Sequence, residues 1–214
     1  MSLRAVRLVL LALLPAASLP ALAHAEPEEF AYCTVCHGAQ GNGNPVIRAP
    51  KIAGLEPWYL TRQLQAFRAG WRGGHAEDAT GREMRFVAEA LPDDAAVARA
   101  VAFIGTLAAA PAARTLTGDA QRGAAQYAAC AACHGARGEG NAALQAPSLA
   151  GQSDWYLLAQ LDAYRAGRRG THPSDALGAR MQPLAALLPD AGAVADVLAY
   201  LASLPDDETR GTRP

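Results

Sequence analysis

The feature that most constrains this chain is an internal repeat. Residues 33–107 align with residues 130–204 without a gap, and 37 of the 75 aligned positions are identical. Every matched pair is 97 residues apart, since 130 − 33 = 97. Two copies are too few to build a solenoid, so each copy has to close a hydrophobic core of its own. The sequence therefore predicts two homologous domains of about 80–100 residues, a normal domain size.

Hydrophobic periodicity in both copies is that of α-helices. Apolar side chains recur at i, i+4 and i+7 in segments 57–69 and 154–166. A second apolar stripe follows an aspartate suited to cap the last helix of each copy. No alternating run is long enough to be a convincing strand, so we predict an all-α fold with much loop. The expected starts of the remaining helices are Pro27, Asp93, Asp119 and Asp190.

The first 25 residues have the pattern of a secretory signal peptide. Two arginines precede an uncharged run from Leu8 to Leu19, and a small-x-small site follows at residues 23–25. The alternative is a retained membrane anchor. At about a dozen residues the run is too short for the roughly 30 Å hydrocarbon layer, which favours cleavage. We therefore expect a signal peptide over 1–25 and export to the periplasm.

The rest of the chain divides at a small-residue segment that contains Pro111. This segment predicts a linker between an N-terminal domain, 26–110, and a C-terminal domain, 111–214. Loss of the signal peptide leaves 19 − 2 = 17 basic and 20 acidic residues, a net charge of −3. Without a basic field, nucleic acid is not an expected partner. The single lysine, Lys51, is explained by a composition that favours arginine.

Each copy contains one Cys-x-x-Cys-His motif, which places two thiols and an imidazole on one turn of chain. Covalent haem attachment needs this set, with two thiols for the two vinyl groups and a histidine for the iron. A structural zinc site is disfavoured because no second pair of Cys or His ligands lies near either motif. A thioredoxin-like site is disfavoured because the sequence shows no βαβ pattern. Disulfides within the motifs would leave both histidines unexplained. The predicted haem-attachment residues are Cys33, Cys36, Cys130 and Cys133, with His37 and His134 as iron ligands.

A second axial ligand is expected from methionine. Besides the initiator, the chain has only Met84 and Met181, and each lies 47 residues beyond its motif histidine. A methionine is usually core filler, but one per haem at an equal offset favours iron ligation. The rivals are His75 and His172, also one per copy, in glycine-rich segments. The sequence favours histidines that do not bind iron, and bis-histidine ligation stays open.

With the motif, the methionines and the duplication in place, each half resembles a class I cytochrome c domain. The pair resembles the dihaem cytochrome c4 family over essentially the whole mature chain. The resemblance also rests on Ala49–Gly54 and Ala146–Gln152, and on the Trp-Tyr-Leu-x-x-Gln-Leu segments that begin at Trp58 and Trp155.

The resemblance implies roles for further residues. Pro50 and Pro147 match the proline whose carbonyl accepts a hydrogen bond from the haem histidine. Phe30 with Phe103, and Tyr127 with Tyr200, match an aromatic contact between first and last helices. Gly123 suits the family's first helix, where the first half has Glu26. A further set could bind haem propionates or form the domain interface, or could be core aromatics and solvated arginines: Trp58, Tyr59, Arg68 and Arg72, with Trp155, Tyr156, Arg165 and Arg169.

These features favour a periplasmic electron carrier that is not an enzyme. Two haem c groups would carry one electron each between respiratory partners, such as a terminal oxidase or a quinol-oxidising complex. Peripheral membrane association is compatible with this role. The alternative is a permanent cytochrome subunit of a periplasmic dehydrogenase, which an additional exposed apolar face would favour. A dihaem peroxidase is disfavoured because both halves have a methionine to close the iron. We also expect a pseudo-twofold arrangement with the haems facing across the interface.

Overall fold

The computed structural model describes residues 30–204, and within this range the chain forms nine α-helices and no strand. The all-α prediction is confirmed. The bounds in chain order are α1 Ala31–His37, α2 Pro57–Arg68, α3 Ala79–Glu89, α4 Asp94–Gly105, α5 Ala120–Gln126, α6 Ala128–His134, α7 Asp154–Arg165, α8 Ala176–Ala185 and α9 Ala191–Ser203.

Local sequence signals explain where the central and last helices begin and end. Helix α2 begins at Pro57, whose fixed φ and missing N–H suit the first turn. It ends two residues before Gly70, which has a φ of +73°. Helices α4 and α9 are capped by Asp93 and Asp190, whose side chains accept from the backbone N–H of Ala96 at 2.7 Å and of Ala193 at 2.8 Å. The predicted positions of α2 and α7, and the predicted starts of α4 and α9, are confirmed to within one residue.

Helices α3 and α8 were not among the sequence predictions. Asp78 caps α3 and Asp175 caps α8, each accepting from a backbone N–H at 3.0 Å. The two helices carry Met84 and Met181. The helix start expected near Pro27 lies outside the described residues. The one expected at Asp119 is confirmed, because this residue caps α5.

Each half encloses its own core beneath its haem motif. The aromatic pairs from the sequence analysis are in contact, with ring centroids 6.2 Å apart for Phe30 and Phe103 and 5.4 Å for Tyr127 and Tyr200. In the second half, α5 packs directly on α9. The core residues are Phe30, Leu60, Leu64, Val97, Val101 and Ile104 in the first half, and Tyr127, Leu188, Val194, Val197, Leu198 and Leu201 in the second.

The segment between α4 and α5 is bound to both halves. The backbone N–H of Ala110 donates to Asn42 Oδ1 at 2.8 Å in the first half. Further along, the N–H groups of Thr115 and Leu116 donate to Asp154 Oδ2 at 2.7 and 2.8 Å in the second half. The segment is therefore held in place by hydrogen bonds along its length, while the boundary at 110/111 stays a prediction. From residue 30 to residue 204, no helix combines the length and apolar character needed to cross a membrane.

Candidate haem sites and the interface between them

One cavity lies in each half, above the core and against its cysteine motif. The first has a volume of about 380 Å³ and the second about 250 Å³. Most of each lining is apolar, as expected for a site that takes a large hydrophobic cofactor. Equivalent predicted site residues line the two cavities: Cys33, Cys36, His37, Pro50 and Met84 in the first, and Cys130, Cys133, His134, Pro147 and Met181 in the second.

The motif histidines are buried and held by one ring nitrogen. His37 Nδ1 donates to the carbonyl oxygen of Pro50 at 2.6 Å, and His134 Nδ1 donates to that of Pro147 at 2.8 Å. Because a carbonyl only accepts, the proton is on Nδ1 and Nε2 keeps its lone pair. Burial lowers the pKa of both histidines, and the proline hydrogen bonds offset part of this effect. Both imidazoles are therefore neutral and oriented as metal binding requires.

The four motif thiols are not joined in disulfides. Burial raises the pKa of Cys33 to about 11, with a further contribution from the neighbouring Cys36, and burial raises the pKa of Cys130. Cys33 and Cys130 are thus in the neutral thiol form at the edge of each cavity.

Both candidate methionines line the cavities, and neither of the two rival histidines does. Met84 is half-buried against the first core, and Met181 lines the second cavity. His75 and His172 are exposed and line neither cavity. His172 instead stacks on Trp71 of the other half, with ring centroids 6.0 Å apart. This geometry favours methionine as the second ligand, an assignment that remains a prediction.

The two cavities share a wall made by both halves. Arg72 donates to Gln63 at 2.7 Å in its own half and to Gln160 at 2.8 Å across the interface. Its counterpart Arg169 donates to Gln160 at 2.6 Å and to Gln63 at 3.0 Å. Because equivalent residues exchange equivalent hydrogen bonds, the wall has the pseudo-twofold symmetry expected from the duplication. The residues lining both cavities are Leu55, Tyr59, Gln63, Arg72, Tyr156 and Gln160.

The charge of this wall fits a cofactor that carries carboxylates. Arg72 and Arg169 are each only 8% exposed, and no carboxylate between residues 30 and 204 forms an ion pair with either. Burial alone would raise the pKa of Tyr59, but the two guanidinium groups outweigh burial and lower it. Buried positive charge favours an anionic partner. Two thiols, a neutral histidine, a methionine and a positive wall together fit haem and its propionates.

The other candidate arginines stay within their own halves. Arg68 forms an ion pair with Asp94, and Arg165 donates to the carbonyl oxygens of Ala185 and Leu188 at 2.7 and 2.8 Å. Trp58 and Trp155 pack edge-on against the tyrosines that follow them. Of the set that the resemblance left undecided, Tyr59, Tyr156, Arg72 and Arg169 therefore belong to the interface.

The rest of the interface departs from twofold symmetry, and sequence reasoning missed it. Lys51 is 4% exposed and its Nζ donates to Ala110 and Gly151 carbonyl oxygens at 2.5 and 3.1 Å. Arg62 pairs with Asp175 of the second half at 3.0 Å. Lys51 therefore has a structural role beyond composition. A signal was available in the alignment of the two copies, where the charged Lys51 and Arg62 correspond to the neutral Ser148 and Ala159.

Comparison with known proteins identifies the family. The cytochrome c family model matches residues 28–108 and again 120–205. Cytochrome c4 from Azotobacter vinelandii is 32% identical over 75% of this chain and 83% of its own length. The chain belongs to the dihaem cytochrome c4 family. Reduced recombinant cytochrome c4 from Pseudomonas stutzeri has the same fold, with a TM-score of 0.65 and 26% identity over 84% of this chain and 96% of that one.

Other relatives of this c4 cytochrome have names that refer to thiosulfate oxidation. The "thiosulfate dehydrogenase electron acceptor" of Stutzerimonas stutzeri is 38% identical over 68% of each chain. Thiosulfate dehydrogenase (TsdBA) from Marichromatium purpuratum has a TM-score of 0.63 and 37% identity over 81% of this chain, which spans only 36% of that longer protein. Family membership makes the present chain a c-type cytochrome with two covalent haem c groups, an electron-transfer protein and not an enzyme.

Proposed function

We propose that this cytochrome is a periplasmic carrier that accepts electrons from a thiosulfate-oxidising dehydrogenase and delivers them to a respiratory acceptor. The observation that supports the donor is the 38% identity to a thiosulfate dehydrogenase electron acceptor. Export is supported by the signal-peptide pattern of residues 1–25. When bound, each haem iron supplies one-electron chemistry by alternating between Fe²⁺ and Fe³⁺.

The chain's own residues would attach, orient and screen these groups. We assign Cys33, Cys36, Cys130 and Cys133 to thioether attachment. His37 and Met84 would ligate the first iron, and His134 and Met181 the second. Sulfur ligation and burial favour the ferrous state and raise the reduction potential. Pro50 and Pro147 would keep each imidazole in one tautomer and orientation in both oxidation states of the iron.

The shared wall supports passage of an electron through the molecule. Only one layer of side chains, centred on Arg72, Gln63 and Gln160, separates the two cavities. Hydrogen bonds in both directions across the interface limit reorganisation between the halves. An electron that enters through one half could therefore leave through the other.

The donor is tested by mixing the oxidised cytochrome with a purified thiosulfate dehydrogenase and thiosulfate, and following haem reduction by absorbance. We expect rapid reduction that requires both enzyme and thiosulfate. Controls omit one component each, and a third control replaces the dehydrogenase with its heat-inactivated form. Reduction no faster than in these controls would refute the donor while leaving the carrier role intact.

The acceptor and the location need separate measurements. Re-oxidation of the reduced protein by membranes that contain a terminal oxidase would support a respiratory acceptor. Reduction of the oxidised protein by a quinol-oxidising complex would instead identify a second electron donor. Fractionation should recover haem-stained protein in the periplasmic extract. If the cytochrome is recovered only in a stoichiometric complex with a dehydrogenase, and the complex survives salt washes, the permanent-subunit alternative is supported instead.

A further inference from the structure

Glu56 is an acidic residue buried in the interface, and its side chain crosses from the first half to the second. It precedes α2 and is only 4% exposed. Its Oε1 accepts a hydrogen bond of 3.0 Å from the backbone N–H of Ser148, while Oε2 has no hydrogen-bond partner in the described part of the chain. Burying a carboxylate in such a place costs free energy unless other groups interact favourably with its charge.

The N–H of Ser148 belongs to the same peptide unit as the carbonyl of Pro147. That carbonyl accepts from His134 Nδ1 at 2.8 Å. The amide is resonance-stabilised, so a carboxylate that accepts from its N–H pushes electron density through the peptide to the Pro147 carbonyl oxygen. That carbonyl oxygen becomes a better hydrogen-bond acceptor. Hydrogen bonds to charged groups are about twice as strong as neutral ones, so this polarisation is larger than a serine or amide would produce.

We propose that Glu56 of the first half is a positioning residue for the histidine of the second haem. The carboxylate acts on His134 through the Pro147–Ser148 peptide. It strengthens donation from Nδ1 and makes Nε2 a more basic ligand. A more basic ligand stabilises ferric iron and lowers its reduction potential. This inference rests on His134 as the iron ligand assigned above and does not depend on the identity of the electron donor.

The carboxylate of the relay is not repeated in the second half. The repeat equivalent of Glu56 is Ser153, a neutral residue, and the equivalent of Ser148 is Lys51. The position of the second half that is equivalent to Glu56 therefore carries no carboxylate. The two haem sites have the same predicted ligands and the same proline contact, and the carboxylate of Glu56 makes them inequivalent.

Two other effects of Glu56 have to be separated from the relay. A buried charge changes a potential through space, and here it lies in an interface that also buries the Lys51 ammonium group. An interface contact could also act only by holding the halves together. Glu56→Gln keeps the shape and an acceptor oxygen but removes the charge. Glu56→Asp keeps the charge but withdraws it by one methylene from the Ser148 N–H.

The test is a reductive titration of the holoprotein followed by NMR of the haem methyl signals, which Met181→His assigns to their halves. We expect both Glu56 variants to raise the potential of the second haem. The change should be about tenfold in the equilibrium constant for electron distribution between the haems. The His134 Nδ1–H resonance should move upfield as its hydrogen bond weakens. Glu89→Gln, an exposed acid that pairs with Arg85, is the control and should change neither quantity.

Each other outcome contradicts the relay. A shift in Glu56→Gln without one in Glu56→Asp would identify a through-space field, and so would equal shifts of both haems. An unchanged potential, with two haems still attached by intact mass and a lower Tm, would reduce Glu56 to an interface contact. If Glu56→Gln does not assemble with haem, Glu56→Asp decides alone, because unchanged potentials in that variant exclude the peptide path.

Discussion

Arg72 donates a hydrogen bond of 2.7 Å to the hydroxyl of Tyr156, and the two residues belong to different halves of the molecule. The donor is a buried guanidinium, so the acceptor cannot be replaced by water without opening the interface. This contact and its symmetric counterparts fix the distance between the two candidate haem sites. We therefore expect the duplication to act as one electron-transfer unit and not as two independent carriers.

The first prediction tests this contact. Tyr156→Phe removes the acceptor while keeping the ring, and it should destabilise the interface by about 1.5–3 kcal/mol, the range for a hydrogen bond to a charged group. Electron exchange between the haems, measured by NMR on half-reduced protein, should become slower. Tyr200→Phe is the control, because the Tyr200 hydroxyl donates to the carbonyl oxygen of Ala136 within the second half and not across the interface. Wild-type exchange no faster than that between separate molecules would leave the duplication without this purpose.

The second prediction concerns attachment. The intact mass should equal the chain from Glu26 plus two haems, and the colour should survive acid denaturation, because thioether bonds are covalent. Replacing Cys33 and Cys36 with alanine should leave one haem, and replacing Cys130 and Cys133 should leave the other. A wild-type mass with one haem would contradict the assignment of both motifs, and a chain mass that includes residues 1–25 would contradict cleavage.

The third prediction concerns the second ligand. Oxidised protein should show the weak far-red absorption of sulfur-ligated ferric haem at the intensity of two sites. Met84→His should remove about half of it and lower one potential, since a histidine stabilises ferric iron better than a thioether. His75→Ala is the matched control and should leave the band unchanged. A bis-histidine spectrum in the wild type would instead make His75 and His172 the ligands.

The fourth prediction concerns packing beneath the second haem. A Cβ at Gly123 would lie 1.9 Å from the backbone oxygen of Asp196, whereas one at Gly105 would meet nothing within 4 Å. Gly123→Ala should therefore cost about 1–3 kcal/mol by forcing α5 from α9. Gly105→Ala should be neutral or stabilise by up to about 1 kcal/mol, because alanine is the better helix former. Thermal unfolding measures both, and equal Tm values would contradict the close approach of these helices.

Much of this protein was determined by its sequence alone. The 97-residue repeat required two cores, the spacing of Cys33, Cys36 and His37 required a covalent haem, and the apolar periodicity located α2, α4, α7 and α9. Each of these signals is local or is repeated at a fixed offset. Cofactor chemistry needs its ligands a few residues apart, so the linear order of the chain already contains it.

The tertiary structure decided which residues face each other across the interface. Helices α3 and α8 were missed although their capping residues, Asp78 and Asp175, were an available signal in the sequence. The sequence indicated no role for Glu56 and only a composition bias for Lys51, yet both residues are buried between the halves. Their partners are about 100 and 92 residues away in the chain. No spacing rule predicts such contacts, because they depend on how two finished domains meet. The cost of burying a charge is set only once that surface is closed.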